Sequence, residues 1–82
     1  MAEVKKHEIT IFVNEQPVEF HVHDATGLEI KTAAIAQGVQ IQLNFVLQLE
    51  LPNGTSSIVG DNDTIHLHNH MKSTAIAPDD NS

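Results

Sequence analysis

A chain of 82 residues makes one small domain, and such a domain buries only about 60% of the surface its unfolded chain exposes, so its core must be simple: one sheet on one helix, or a small barrel. Without cysteine it forms neither a disulfide framework nor a thiolate metal site, and eleven acidic against four basic residues give a formal charge of −7 that repels phosphate backbones and anionic lipid. No apolar run approaches the roughly 20 residues that cross a bilayer, and Met1 to Lys6 does not lead into a signal-peptide core, so a cytoplasmic protein with no nucleic-acid or membrane partner is expected.

Residues 1–6 are polar and aperiodic and read as a flexible N-terminal extension, 7–72 as the domain, and 73–82, small and polar, as a flexible C-terminal tail. From His7 to Asn14, Ile9, Ile11 and Val13 alternate with Glu8, Thr10, Phe12 and Asn14, the period of a strand with one buried face. Asn14-Glu15-Gln16-Pro17 supplies a turn. Val18, Phe20 and Val22 then alternate with Glu19, His21 and His23 in a second strand, and Pro17, which cannot donate a ladder hydrogen bond, suits the start of an edge strand.

Asp24 and Thr26 are helix N-cap candidates, and the run from Leu28 ends at Gly38, which predicts a helix of about three turns. Its apolar face holds Ile30, Ala33, Ala34 and Gln37, with Leu28 and Ile35 on an adjoining stripe. Val39 to Asn44 is a connection that keeps Val39, Ile41 and Leu43 apolar. Phe45, Leu47, Leu49 and Leu51 oppose Val46, Gln48 and Glu50 in a third strand, and Pro52-Asn53-Gly54-Thr55 is a turn. Ser57 to Val59 makes a short fourth strand and Gly60-Asp61-Asn62-Asp63 another turn. In Asp63 to Met71, Ile65 and Leu67 alternate with His66, His68 and His70, which predicts the last strand, its aliphatics beneath the helix and its imidazoles outside.

A helix that links strands of one sheet favours a right-handed crossover over the first hairpin, which lets the last strand insert parallel to the first in mid-sheet. The fold class expected is α+β: a β-grasp with a mixed four- to five-stranded sheet packed on one helix. Ile11-Phe12-Val13, Thr26 at the helix start and Asp63-Thr64-Ile65-His66-Leu67 resemble the landmarks of ubiquitin in order and spacing. Ile11-Phe12-Val13-Asn14, Ala25-Thr26-Gly27-Leu28-Glu29-Ile30 and Gly60-Asp61-Asn62-Asp63 resemble more closely the bacterial ubiquitin-like proteins of the multiubiquitin group, found in conjugation operons.

That resemblance implies a ubiquitin-like protein modifier that also self-assembles. Its partners would be an activating-enzyme-like protein, a conjugating-enzyme-like protein and a JAB-type peptidase, in systems several of which are linked to antiviral defence against phage. The chemistry would belong to those partners: an adenylating enzyme activates the C-terminal carboxylate. This sequence has no Gly-Gly pair after the last strand. Conjugation then uses another terminal residue or follows trimming between Ser73 and Ser82, with Ser73, Thr74, Ala75, Ile76 and Ala77 as the processing or conjugation region. The alternative is a non-conjugated β-grasp interaction module forming oligomers or filaments; a sulfur carrier is a third reading. No nucleophile with an adjacent base and no phosphate-cradling loop points to an enzyme, and no cofactor is expected.

Imidazoles two apart on a strand lie about 6.5 to 7 Å apart, a spacing at which they can share a metal. No carboxylate or cysteine completes a tetrahedral set, so no metal is expected, His66, His68 and His70 being the only candidates. The partner-binding surface expected is the outer sheet face: Thr10, Phe12, Val46, Gln48, His66, His68 and His70, a face on which ubiquitin-like domains are commonly recognised. Protonation of this face below about pH 6.5 would gather like charges and weaken contact. The edges at the second strand and at the short fourth strand, or the Ala75-Ile76-Ala77 segment added to a neighbour's sheet, are further routes to a homo-oligomer.

Overall fold

The computed structural model describes residues 8–78. In chain order the elements are β1 (Ile9–Val13), β2 (Gln16–Phe20), β3 (Asp24–Thr26), α1 (Gly27–Ala36), β4 (Val46–Glu50), β5 (Ser56–Val59), β6 (Thr64–His66) and β7 (Lys72–Ile76). Five strands form one mixed sheet in the order β2-β1-β7-β4-β5, and β3 and β6 form a separate antiparallel pair. β7 runs parallel to β1 and antiparallel to β4. With the single helix of the described residues on one face, this is the ubiquitin-like β-grasp.

The first hairpin turns on Asn14 and Glu15, both at positive φ (53° and 69°), the two-residue turn whose twist matches that of strands. Gln16 therefore already pairs with Val13, and Pro17 with Phe12. The turn is two residues shorter than the expected Asn14–Pro17 and the second strand ends at Phe20, leaving Val22 half exposed. Pro17 does lie on an edge strand.

Thr26 caps α1: its Oγ1 accepts from the Glu29 N–H (3.1 Å) while Glu29 Oε1 accepts from the Thr26 N–H (2.9 Å), a reciprocal pair that satisfies two donors. At the other end Gly38, at φ 102°, lets the Val39 N–H reach the Ala34 carbonyl (2.9 Å) and its own N–H reach that of Ile35 (3.1 Å). The buried face of the helix is Gly27, Ile30, Lys31 and Ala34. Leu28 and Ile35, expected on an apolar stripe, stand more than one third exposed. The core joins Ile11, Val13, Val18, Ile30, Leu47, Leu67 and Ala75, with Val39 and Ile41 sealing the helix end.

The last strand corrects the sequence reading. The strand within the run from Asp63 to Met71 lies outside the main sheet: Asp24 pairs with His66 and Thr26 with Thr64, the Leu67 N–H donates to the His23 carbonyl (2.7 Å), and the run's backbone bonds to β1 only at its end, through His70 and Met71. A turn follows, closed by Met71 N–H on the His68 carbonyl (3.2 Å) with His70 at φ 69°, and it re-aims the chain into the sheet. The strand that slots between β1 and β4 is Lys72–Ile76, expected as tail. Its inward residues Ser73 and Ala75 are small and buried, while Lys72, Thr74 and Ile76 face out. Ladder bonds on both sides, rather than apolar bulk, hold it. Asn14 completes them, its Oδ1 accepting from the Ala75 N–H (2.8 Å) and its Nδ2 donating to the Ala75 carbonyl (3.2 Å). The expected N-terminal extension and the last four residues of the expected tail lie outside the described residues.

Candidate functional site: the outer sheet face and the histidine groove

With Ile9, Ile11 and Val13 turned to the helix, Thr10 and Phe12 face the other way, half-buried. Register carries this outer face across the sheet: Val46 lies opposite Ile76, and Gln48 opposite both Thr74 and Ile58. Thr10, Phe12, Val46 and Gln48 thus share one face, as read from the sequence. The residues that dominate it were not foreseen there: Ile58 is 66% exposed and Ile76 45% exposed. Their signal was faint, because the first sits in a short strand and the second in a stretch with the composition of a tail.

The histidines divide. His70 belongs to the outer face, its N–H donating to the Thr10 carbonyl (2.6 Å) and its ring stacked on Phe12 at 6.3 Å. His66 is the only one of the three within a strand. Its Nδ1 lies 3.0 Å from Asp24 Oδ1, and its ring meets His68 edge-on at 5.0 Å. The turn at His68–Met71 breaks the alternation that would have aligned all three. They converge instead on the rim of an open groove of about 730 Å³ floored by half-buried Leu49, Leu51, Ile65 and Met71. Among the described residues, no group of three or more histidines and carboxylates is placed to hold a metal ion.

The multiubiquitin family model matches residues 9–79. This chain belongs to the multiubiquitin family. No curated protein and no solved structure matches it significantly. The matched span takes in every strand of the multiubiquitin β-grasp, β7 included. In this multiubiquitin domain Ser73 to Ile76, expected as processing or conjugation residues, are built into mid-sheet: Ser73 Oγ donates to the Phe12 carbonyl (3.0 Å), and Ser73 and Ala75 are buried. Cleavage there would pull out the strand that joins the two halves of the sheet. Of the five residues in that region only Ala77 stands outside a strand, exposed beside exposed Pro78. No helix among the described residues is long and apolar enough to cross a membrane.

Proposed function

We propose that this chain is a protein modifier of the ubiquitin-like type, activated and conjugated through a C-terminal carboxylate beyond Ile76. It is a substrate of partner enzymes rather than an enzyme itself. The observation that carries this reading is the family match together with the exit of the chain: β7 leaves the middle of the sheet at Ile76, and Ala77 and Pro78 stand free of it. A segment that must thread into an adenylating site needs such an exit. The partners are an activating-enzyme-like protein, a conjugating-enzyme-like protein and a JAB-type peptidase of a bacterial conjugation operon acting in the cytoplasm, with defence against phage as the setting. The outer face from Phe12 to Ile58 is the surface those partners recognise.

Incubation with an activating-enzyme-like protein of such an operon and ATP tests this. Adenylate on the native or trimmed C-terminus, read by intact mass, is the expected result; a chain that stays unmodified with and without peptidase sinks it. A second reading, a non-conjugated assembly module, is favoured by one observation: the β5 edge carries no charged residue.

A further inference from the structure

The two edges of the five-stranded sheet are treated oppositely. On β2 the residue pairs flanking the two-residue turn alternate so that Pro17 and Glu19 turn their backbone outward. Pro17 has no N–H. The Glu19 N–H donates to Gln37 Oε1 and the Glu19 carbonyl accepts from Gln37 Nε2, each at 2.9 Å, so one side-chain amide closes what proline leaves. Strand addition at this edge is blocked.

At β5 the same alternation leaves the backbone open. The Leu51 N–H donates to the Thr55 carbonyl (2.7 Å), which sets the phase: Ser57 and Val59 bond toward β4, and Ser56 and Ile58 turn their N–H and C=O groups away. The open stretch has closed ends. The Thr55 N–H is taken by Asn53 Oδ1 (3.1 Å), the Gly60 N–H by Asp63 Oδ2 (2.8 Å), and the Gly60 carbonyl by the Asp63 N–H (3.1 Å). β5 carries no charge and no proline, and among the described residues it pairs with β4 alone.

We propose that β5 is a docking strand for a second copy of this chain, the two β5 strands pairing antiparallel about a dyad at Ser57. In that register Ser56 of each copy faces Ile58 of the other, and the outward groups of both strands are consumed in four backbone hydrogen bonds. A dyad at Ile58 instead would set Ser56 against Gly60, whose groups are already engaged. The two Ile58 side chains, 66% exposed in the single chain, become diagonal neighbours about 7–8 Å apart on the outer face, within reach of each other. Charge permits the pairing despite a net −7. Glu50, which lies across from Ser56, ends three strand spacings from its mate, about 14 Å, beyond the roughly 8 Å screening length of physiological salt. So short a seam makes a concentration-dependent dimer. The inference needs only the open edge and holds whether or not the chain is conjugated.

Amide exchange and sedimentation across a concentration series test it on the full chain. As dimer fills, the Ser56 and Ile58 amides are expected to slow by about tenfold or more, while Glu19 exchange is unchanged. Ser56→Pro deletes one outward donor without touching the β4 ladder, and Ile58→Lys sets two cations near the dyad; each is expected to return the protein to monomer. A dimer that survives both variants uses another surface and overturns the proposal. So does the absence of dimer at every concentration, or protection of Ser56 and Ile58 already present in the monomer, which would mean that the chain covers its own edge.

Discussion

Lys31 is 3% exposed on the helix face that packs on the sheet, and its ammonium has three oxygen partners: the carbonyls of Leu43 and Phe45 at 2.7 Å each and Asp61 Oδ1 at 2.8 Å. A buried cation is tolerable only when its donors are all used. Here they tie the loop before β4 and the loop after β5 to the helix. Lys31→Met keeps the stem but strands two carbonyls, and is expected to lower stability by about 2–4 kcal/mol. That is a large part of the roughly 4–12 kcal/mol a chain of this length holds. Asp61→Asn, at a half-exposed carboxylate, should cost about 1 kcal/mol or less. Urea midpoints of the two variants decide between backbone satisfaction and ion pairing, and equal losses would show the carbonyls to be unimportant. Gly27 gives a second residue-level test. Alanine normally stabilises a helix by roughly 0.5–1 kcal/mol over glycine, but a Cβ at Gly27 would run into the carbonyl oxygen of Gly60. Gly27→Ala is therefore expected to lower the thermal midpoint, with an overpacking cost of about 1–3 kcal/mol.

At the scale of elements, legibility followed the strength of local patterns. β1 and β4 were legible from period-two alternation, and α1 from Thr26 and Gly38, because each signal acts within its own segment. β7 was not, since Lys72-Ser73-Thr74-Ala75-Ile76 buries only the small Ser73 and Ala75 and owes its place to hydrogen bonds on both flanks. The histidine run misled for a related reason. Its alternation is real, with Leu67 buried and His66 and His68 exposed, but the strand partner is β3, a contact between segments about 40 residues apart that no local pattern records. Of the candidate surface, the β1 and β4 residues were legible; β5 was legible as a short strand over Ser57 to Val59 without Ile58 being placed on that face, and Ile76 was hidden with β7. Gln37 belongs to this scale too, being a helix C-cap residue whose amide closes the β2 edge. Gln37→Ala should leave the helix intact by circular dichroism and speed exchange of the Glu19 amide at least several-fold. Unchanged Glu19 exchange would mean that the amide does not seal that edge.

The whole molecule depends on the seam that β7 makes between the β2-β1 hairpin and the β4-β5 hairpin, since each hairpin alone is at best marginally stable. This sets a boundary for the proposed conjugation: a segment threaded into an adenylating site lies past Ile76, because Lys72 to Ile76 are committed to the sheet. Adjacent residues of β7 test the seam cleanly, because they face opposite ways. Ala75 is 4% exposed beneath the helix, and Thr74 is exposed on the outer face opposite Gln48. Ala75→Glu forces a carboxylate into the core with no partner, a loss of more than about 4 kcal/mol that consumes most or all of the chain's stability. Thr74→Glu adds the same charge one residue away and should stay within about 0.5 kcal/mol of the parent. Thermal melts and amide spectra are expected to show an unfolded chain for the first and a native one for the second. A tail lying free of the sheet would leave both variants folded, so a folded Ala75→Glu would take the central strand, and the exit for conjugation argued from it, out of the fold.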